Sequence, residues 1–183
     1  MGKKFTSLNA DTRDFIEAQK IFFVGTAAAE GRVNVSPKGM DTLRVLDDNL
    51  LVWLNLTGSG NETAAHLRLL PRMTILFCAF EGKPMILRLY GTAKIFHPRD
   101  VSFGEYLGLF PNISGARQVV ELSIDLVQTS CGFAVPLMEF KEERPTLSAW
   151  ADRKGAEGIE AYWLEKNTKS IDGLETGILE DNA

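Results

Sequence analysis

The chain has 183 residues, which is long enough for one domain with a substantial hydrophobic core. Its apolar content of 45% and charged content of 24% are ordinary for a globular protein, and its net charge of −4 argues against a general nucleic-acid binder. No apolar run has the length of a transmembrane helix, and the N-terminus lacks the apolar stretch of a secretion signal. We therefore expect a cytoplasmic protein that does not bind membranes.

The first third of the chain reads as a helix followed by hairpin-like strands. Asn9 or Asp11 caps a helix that ends near Lys20. The apolar run 21–27 and the alternating run 32–36 flank a glycine turn, which predicts two antiparallel strands, the second ended by Pro37. A further apolar run, 50–56, predicts a third strand.

The rest of the chain adds three longer strands. The patterns predict strands over 72–80, 85–96 and 117–130, and helices over 62–70, 99–109 and 155–167. In the helix 99–109 the pattern turns Val101, Tyr106 and Leu107 inward, and Gly91 predicts a bulge within its strand. Six strands joined mostly by hairpins, with few helices, favour a closed antiparallel barrel.

A glycine-rich turn at residues 57–63, Thr-Gly-Ser-Gly-Asn-Glu-Thr, stands between a predicted strand and a predicted helix. Such a junction directs unpaired backbone N–H groups and the positive end of a helix dipole at one point, which suits a phosphate. Gly58 and Gly60 let the backbone approach a ligand closely, and Ser59, Asn61 and Thr63 add side-chain donors.

The same turn also fits part of the fingerprint of a Rossmann-type dinucleotide binder, because Glu81 follows about twenty residues later. Against this alternative, Thr63 replaces the third glycine and no further strand–helix alternation follows to build a parallel sheet. The two histidines, His66 and His97, have no cysteine or paired acid at ligand spacing, so we predict no metal site.

Three segments in series resemble the split-barrel flavoproteins related to pyridoxamine 5′-phosphate oxidase. They are GTAAAEGRVNVSPKG, LVWLNLTGSGNETAAHLRLLPRMTILF and RLYGTAKI, and the likeness extends over about residues 16–125. The resemblance implies a mainly β fold, a six-stranded antiparallel FMN-binding split barrel with short flanking helices. It implies one domain over residues 1–183, with a C-terminal helical extension over about 141–183. It also implies a homodimer that binds FMN at the subunit interface and acts on a small-molecule substrate.

The resemblance also implies a set of cofactor-binding residues. The strand end at 35–38 would line the isoalloxazine ring and reach the phosphate, and the glycine-rich turn would hold the phosphate. Glu62 departs from the family, which often has Ser-Arg-Lys across positions 61–63, so the positive charge must come from other residues. Trp150 is a candidate to cover the partner subunit's flavin, although ordinary packing also explains a tryptophan there. The candidates are Val35, Ser36, Pro37, Lys38, Thr57, Gly58, Ser59, Gly60, Asn61, Thr63, Arg72, Arg88 and Trp150.

The expected activity is that of an FMN-dependent oxidoreductase. The chain lacks the terminal arginine-containing segment that pyridoxamine-phosphate oxidases use for substrate, so a different, unidentified small substrate is expected. We single out no catalytic residue, because in flavoproteins the cofactor carries the redox chemistry. Two alternatives stay open: a non-catalytic flavin- or haem-binding protein, and a deazaflavin-dependent reductase. Lys38, Arg72 and Arg88 are the candidate phosphate cations, and Glu62→Arg is expected to strengthen FMN binding or leave it unchanged.

Overall fold

The structure is a computed structural model that describes residues 2–180. Met1 and residues 181–183, which the predicted domain and its C-terminal extension include, lie outside the described residues. Within 2–180 the chain forms eight strands and four helices. The strands are β1 Lys4–Phe5, β2 Phe22–Thr26, β3 Asn34–Lys38, β4 Leu43–Val45, β5 Leu50–Leu56, β6 Arg72–Cys78, β7 Ile86–Phe96 and β8 Ala116–Ser130. The helices are α1 Ala10–Ala18, α2 Glu62–Leu69, α3 Val101–Leu107 and α4 Thr146–Lys166.

All strands pair antiparallel in one sheet, in the order β3-β2-β6-β7-β8-β5-β4, with β1 added to β8. The sheet curls into a half-barrel whose open edges are β3 and β4. This confirms the predicted mainly β, antiparallel split barrel, but the expectation of a closed barrel was wrong, because β3 and β4 stand at the two ends of the strand order and do not pair with each other. The strand count is eight rather than six, because β1 and β4 have two and three residues, too few for an alternating pattern to be recognised.

The barrel interior is filled by large apolar side chains. Trp53 is fully buried, and its ring meets that of Phe22 edge-on at a centroid distance of 6.2 Å. The predicted bulge at Gly91 is confirmed by a register shift between Tyr90 and Gly91. A Cβ atom on Gly91 would lie 2.0 Å from the carbonyl oxygen of Ser123, so only glycine fits at this bend.

Three local predictions from the sequence were wrong. Pro37 does not end β3 but pairs with Phe23 inside it. Proline has no backbone N–H, and an edge strand tolerates this because its outer side has no neighbouring strand that needs a donor. Val101 is 82% exposed on α3, and Phe103 is the buried residue of that helix. The last helix begins at Thr146 rather than residue 155, where Gly155 (φ 64°) only interrupts it.

Helix α1 begins as predicted. The Asn9 side chain accepts a hydrogen bond from the backbone N–H of Thr12, and the Thr12 hydroxyl accepts one from the N–H of Asn9. Within residues 2–180, none of the helices combines the length and the hydrophobicity that spanning a bilayer requires.

Candidate functional site

The glycine-rich turn connects β5 to α2 and presents its backbone N–H groups outward. Ser59 and Gly60 are exposed at its tip. The N–H groups from Gly58 to Thr63 donate no hydrogen bond to any described residue. The turn is anchored at its start, where the backbone N–H and the hydroxyl of Thr57 both donate to the carbonyl oxygen of Gly115 at 2.8 Å.

The side chains at the start of α2 point inward rather than toward this open face. Asn61 occupies the position before the helix but does not cap it; its amide donates to the carbonyl oxygen of Asn167 at 3.2 Å. The hydroxyl of Thr63 accepts a hydrogen bond from the amide of Asn34 at 3.3 Å. The first N–H groups of α2 are therefore left without a side-chain partner, so the positive end of the helix stays open to a ligand.

The inner side of the turn is held by residues from β8 and from the end of α4. The indole N–H of Trp163 donates to the Thr57 hydroxyl at 2.8 Å. The side-chain amide of Asn167 donates to the carbonyl oxygen of Gly58 at 3.0 Å, and the Arg117 guanidinium donates to that of Gly60 at 2.9 Å. The sequence prediction missed these residues, because nothing in the local pattern separates them from ordinary strand or helix positions.

Arg117 reaches the turn because of a bulge. On β5, Asn55 pairs with Gln118 and Leu56 pairs with Ala116, so Arg117 is an extra residue of β8 without a partner on β5. The bulge turns its side chain toward the glycine-rich turn. The side chain is 2% exposed and also donates to the side-chain oxygen of Asn167 at 2.8 Å. Burial lowers the pKa of Arg117 to about 10, so it stays protonated at neutral pH.

Lys38, which is half-buried, is the second cation of this region. Its ammonium donates to the side-chain oxygen of Asn55 at 3.2 Å and lies 5.1 Å from the ring centroid of Trp53. Burial, and then the charge of Arg117, lower the pKa of Lys38 to about 8. The Asn55 amide in turn donates to Gln118 at 3.0 Å, which links the surroundings of the two cations.

Among the described residues of this region, more buried donors than acceptors lack a partner, the acceptor being Asn61 Oδ1. Neither Lys38 nor Arg117 forms an ion pair with a carboxylate among residues 2–180. Three buried donor atoms have no acceptor in the described part of the chain: Trp53 Nε1, Arg117 Nε and Gln118 Nε2. Buried positive charge without a counterion is costly, so the arrangement favours an anionic ligand.

Two acids near the turn, Glu62 of α2 and Asp172 of the C-terminal segment (residues 167–180), form hydrogen bonds between that segment and the rest of the chain. The backbone N–H of Ile171 donates to the carboxylate of Glu62. The backbone N–H of Arg32 donates to Asp172 at 2.7 Å and its guanidinium pairs with the same carboxylate. These contacts to Arg32 lower the pKa of Asp172. The segment therefore lies over the start of both β3 and α2.

The other sequence candidates lie apart from the turn. Val35 and Pro37 are exposed on the outer face of β3, while Ser36 and Lys38 are half-buried on the inner face. Arg72 is exposed at the start of β6. The remaining two make contacts elsewhere in the chain: Arg88 with Ser130 at 3.3 Å, and Trp150 with the Tyr162 ring at a centroid distance of 5.1 Å.

Arg88 is distant from the turn along the sheet. It pairs with Gln128 near the end of β8, whereas the turn follows Leu56, which pairs with Ala116 at the start of β8. Within one chain, the turn therefore lies near Lys38. The hydrogen-bonded side chains of Asn55 and Gln118 connect the two.

Comparison with known proteins identifies the family. The family model described as Pyridoxamine 5′-phosphate oxidase matches residues 8–131. The chain belongs to the pyridoxamine 5′-phosphate oxidase family. It is 35% identical over 189 aligned residues to the pyridoxamine 5′-phosphate oxidase family protein ustO of Aspergillus flavus, an alignment that covers 93% of this chain and 76% of ustO.

Solved structures show the same fold at low sequence identity. A candidate pyridoxamine 5′-phosphate oxidase of Lactobacillus delbrueckii is 21% identical, with a TM-score of 0.53, and the match covers 67% of this chain and 94% of that one. HupZ of Group A Streptococcus is 20% identical, with a TM-score of 0.51, and the match covers 65% and 91% of the two chains. Trp163 and Asn167, which pack behind the turn, lie beyond the residues that the oxidase family model matches.

Proposed function

We propose that this member of the pyridoxamine 5′-phosphate oxidase family binds FMN with its phosphate on the turn at residues 57–63, and that it is an FMN-dependent oxidoreductase. The observation that carries the proposal is a pair of cations, the buried Arg117 and the half-buried Lys38, which have no carboxylate partner among the described residues and lie beside a turn with unpaired N–H groups.

The residues present fit a phosphate. A phosphate monoester carries about −1.5 to −2 charges at neutral pH and three strong acceptor oxygens. The turn supplies neutral donors, the N-terminus of α2 supplies a partial positive charge, Lys38 supplies a full charge, and Arg117 adds a positive charge from behind the turn without touching the phosphate. The carboxylate of Glu62, which the sequence suggested would oppose a phosphate, accepts the N–H of Ile171 instead.

The flavin ring would lie against β3. This strand is an open edge of the sheet, and Val35 is 66% exposed on its outer face. An exposed apolar edge strand needs a cover, and a second copy of the chain would provide it. We therefore propose a homodimer with FMN at the subunit interface, in which the barrel and the C-terminal helical extension act as one domain.

When bound, FMN supplies the electron-transfer chemistry, and the chain binds and orients it. We propose that the substrate is a small molecule other than pyridoxamine 5′-phosphate. We assign no acid or base to the proposed site.

The absorbance spectrum of the purified protein, followed by titration with FMN and riboflavin, tests the proposal. We expect a flavin spectrum and FMN binding that is tighter than riboflavin binding. Anaerobic addition of NADH or NADPH should then bleach the flavin absorbance, and oxygen should restore it. A protein that binds neither flavin contradicts the cofactor assignment, and a bound flavin that neither nucleotide reduces contradicts a nicotinamide-linked oxidoreductase.

A further inference from the structure

Two buried side chains control the orientation of two peptide units in the turn. The carbonyl oxygen of Gly58 accepts the side-chain N–H of Asn167 at 3.0 Å, and the carbonyl oxygen of Gly60 accepts the Arg117 guanidinium at 2.9 Å. Asn167 is fully buried and Arg117 nearly so, and both lie on the inner side of the turn.

This arrangement determines where the next N–H groups point. In a planar trans peptide unit, the C=O and N–H groups point in opposite directions. Because the carbonyls of Gly58 and Gly60 point inward, the N–H groups of Ser59 and Asn61 point outward, and neither donates to a described residue. Backbone N–H groups that point to one side of a turn can bind an anion together.

We propose that Asn167 and Arg117 are positioning residues that aim the Ser59 and Asn61 N–H groups at the ligand's phosphate. This inference rests on the proposed FMN function and assigns a role to the end of α4 that the sequence left open. The residues do not touch the phosphate themselves; they act by holding the carbonyls on the opposite side of each peptide unit.

Asn167 is the centre of this arrangement. Its side-chain oxygen accepts from Arg117, which can only donate, so its amide nitrogen must face Gly58. Its backbone oxygen also accepts the Asn61 amide and the Thr176 hydroxyl, the latter at 2.6 Å. Loss of the Asn167 amide would free the Gly58 peptide unit to rotate, while the remaining contacts of the segment persist.

The deciding experiment compares FMN with riboflavin, which lacks the phosphate. Asn167→Leu keeps the side-chain shape but removes both the donor and the acceptor. We expect it to lose about ten- to a hundredfold of the preference for FMN, the equivalent of one charge-assisted hydrogen bond, with little change in riboflavin affinity. Thr176→Val is the matched control, because it removes a buried hydrogen bond to Asn167 without touching the turn, and it should keep the preference.

A folded Asn167→Leu protein that retains the wild-type preference overturns the proposal. So does a Thr176→Val protein that loses the preference equally, because general loosening of the segment would then explain both results. A wild-type protein that binds neither flavin contradicts the proposed function, and the test with inorganic phosphate below then still decides whether the outward N–H groups bind phosphate.

A second measurement holds even if the variant does not fold. In the wild-type protein, inorganic phosphate titrated against a ¹⁵N-labelled sample should shift the amide resonances of Ser59 and Asn61 more than those of Gly58 and Gly60. Shifts confined to other parts of the chain overturn the proposal.

Discussion

Glu62 and Ile171 are joined across 109 positions of sequence, where the backbone N–H of Ile171 donates to both carboxylate oxygens of Glu62, at 3.0 and 3.1 Å. The resemblance suggested an arginine at this position, and the contact gives Glu62 a structural role of its own. The acid at the first position of α2 anchors the C-terminal segment rather than opposing a ligand.

Removing this anchor should loosen the segment. We expect Glu62→Ala to lower the free energy of unfolding by about 1 kcal/mol, because a charge-assisted hydrogen bond is lost at a partly exposed site. Hydrogen exchange at the Ile171 N–H should become faster. Glu62→Gln keeps an acceptor and is the matched control. Exchange at Ile171 that is equally slow in the wild type and in Glu62→Ala would contradict the anchoring role.

Glu62→Arg combines two opposite effects. It adds a positive charge beside the turn, from which the sequence predicted tighter or unchanged FMN binding, and it removes the acceptor for Ile171. The prediction of tighter or unchanged binding stands, but the Gln variant separates the two effects, since it removes the negative charge and keeps the acceptor.

Lys38→Ala should weaken FMN binding specifically. A charge-assisted contact contributes about 1.5–3 kcal/mol, which corresponds to roughly ten- to a hundredfold in affinity. Riboflavin affinity should change little, because the two ligands differ only by the phosphate. Lys94→Ala, at an exposed lysine of β7, is the control. If Lys38→Ala weakens FMN and riboflavin equally, Lys38 is not the phosphate partner.

The lowered pKa of Lys38 predicts how FMN affinity depends on pH. Lys38 attracts a phosphate only while protonated, and its pKa in the free protein is about 8, mainly because of burial. FMN affinity should therefore be highest below about pH 8 and decrease above it, as the free protein loses this proton. Riboflavin titrated from pH 7 to 9.5 controls for other ionisations. A decrease of equal size in Lys38→Ala would assign the effect to another group.

The barrel could be predicted from the sequence because its strands carry their own pattern. The alternation in β8 and the glycine at position 91 depend on local side-chain preferences, and the structure confirms both. Pro37 shows the limit of such rules. Whether a proline ends a strand depends on whether the strand lies at an edge, which is a property of the assembled sheet.

The candidate site was only partly predictable for the same reason. The turn is a continuous segment with recognisable glycines, and Lys38 follows a strand end. Arg117 and Asn167 reach the turn from 57 and 109 positions away in sequence, through a bulge and through the end of α4. No local pattern predicts such contacts, so the phosphate cations proposed from the sequence were Lys38 first and Arg72 and Arg88 second, without Arg117.

His97 should make the fold sensitive to mild acid. Burial, and then the charge of Arg99, lower the pKa of His97 to about 4, whereas an unfolded chain binds the proton near pH 6.5. The unfolded state therefore binds more protons between these values, and the free energy of unfolding should fall as pH decreases from about 6.5 to about 4.

The His97→Gln variant isolates this effect, since glutamine fills similar space without titrating. Urea unfolding at pH 7, 5.5 and 4.5 should give a shallower pH dependence for the variant. The pKa values of Asp172 and Glu180 are lowered by Arg32 and Arg68 and add a loss at low pH, but they do so in both proteins. Identical slopes in the two proteins would show that His97 is not the cause.

The exposed edge strand β3 predicts the oligomeric state. Val33 and Val35 are 70% and 66% exposed at one edge of the sheet. The backbone N–H and C=O groups on the outer side of this edge strand have no neighbouring strand to pair with. We expect light scattering to give a mass of about twice the 20.3 kDa of one chain at micromolar concentration. A monomer mass there would contradict the homodimer.

Val35→Asp tests whether this edge forms the dimer interface. A charge on an edge strand opposes association, because it must lose its hydration when a second chain covers it. The variant should dissociate at higher concentration than the wild type, and it should bind FMN more weakly if the cofactor lies between the subunits. Val101→Asp is the matched control, since Val101 is 82% exposed on α3, away from β3 in the sequence. A Val35→Asp dimer as stable as the wild type would place the interface on another surface, and weaker FMN binding without dissociation would place the flavin on one subunit alone.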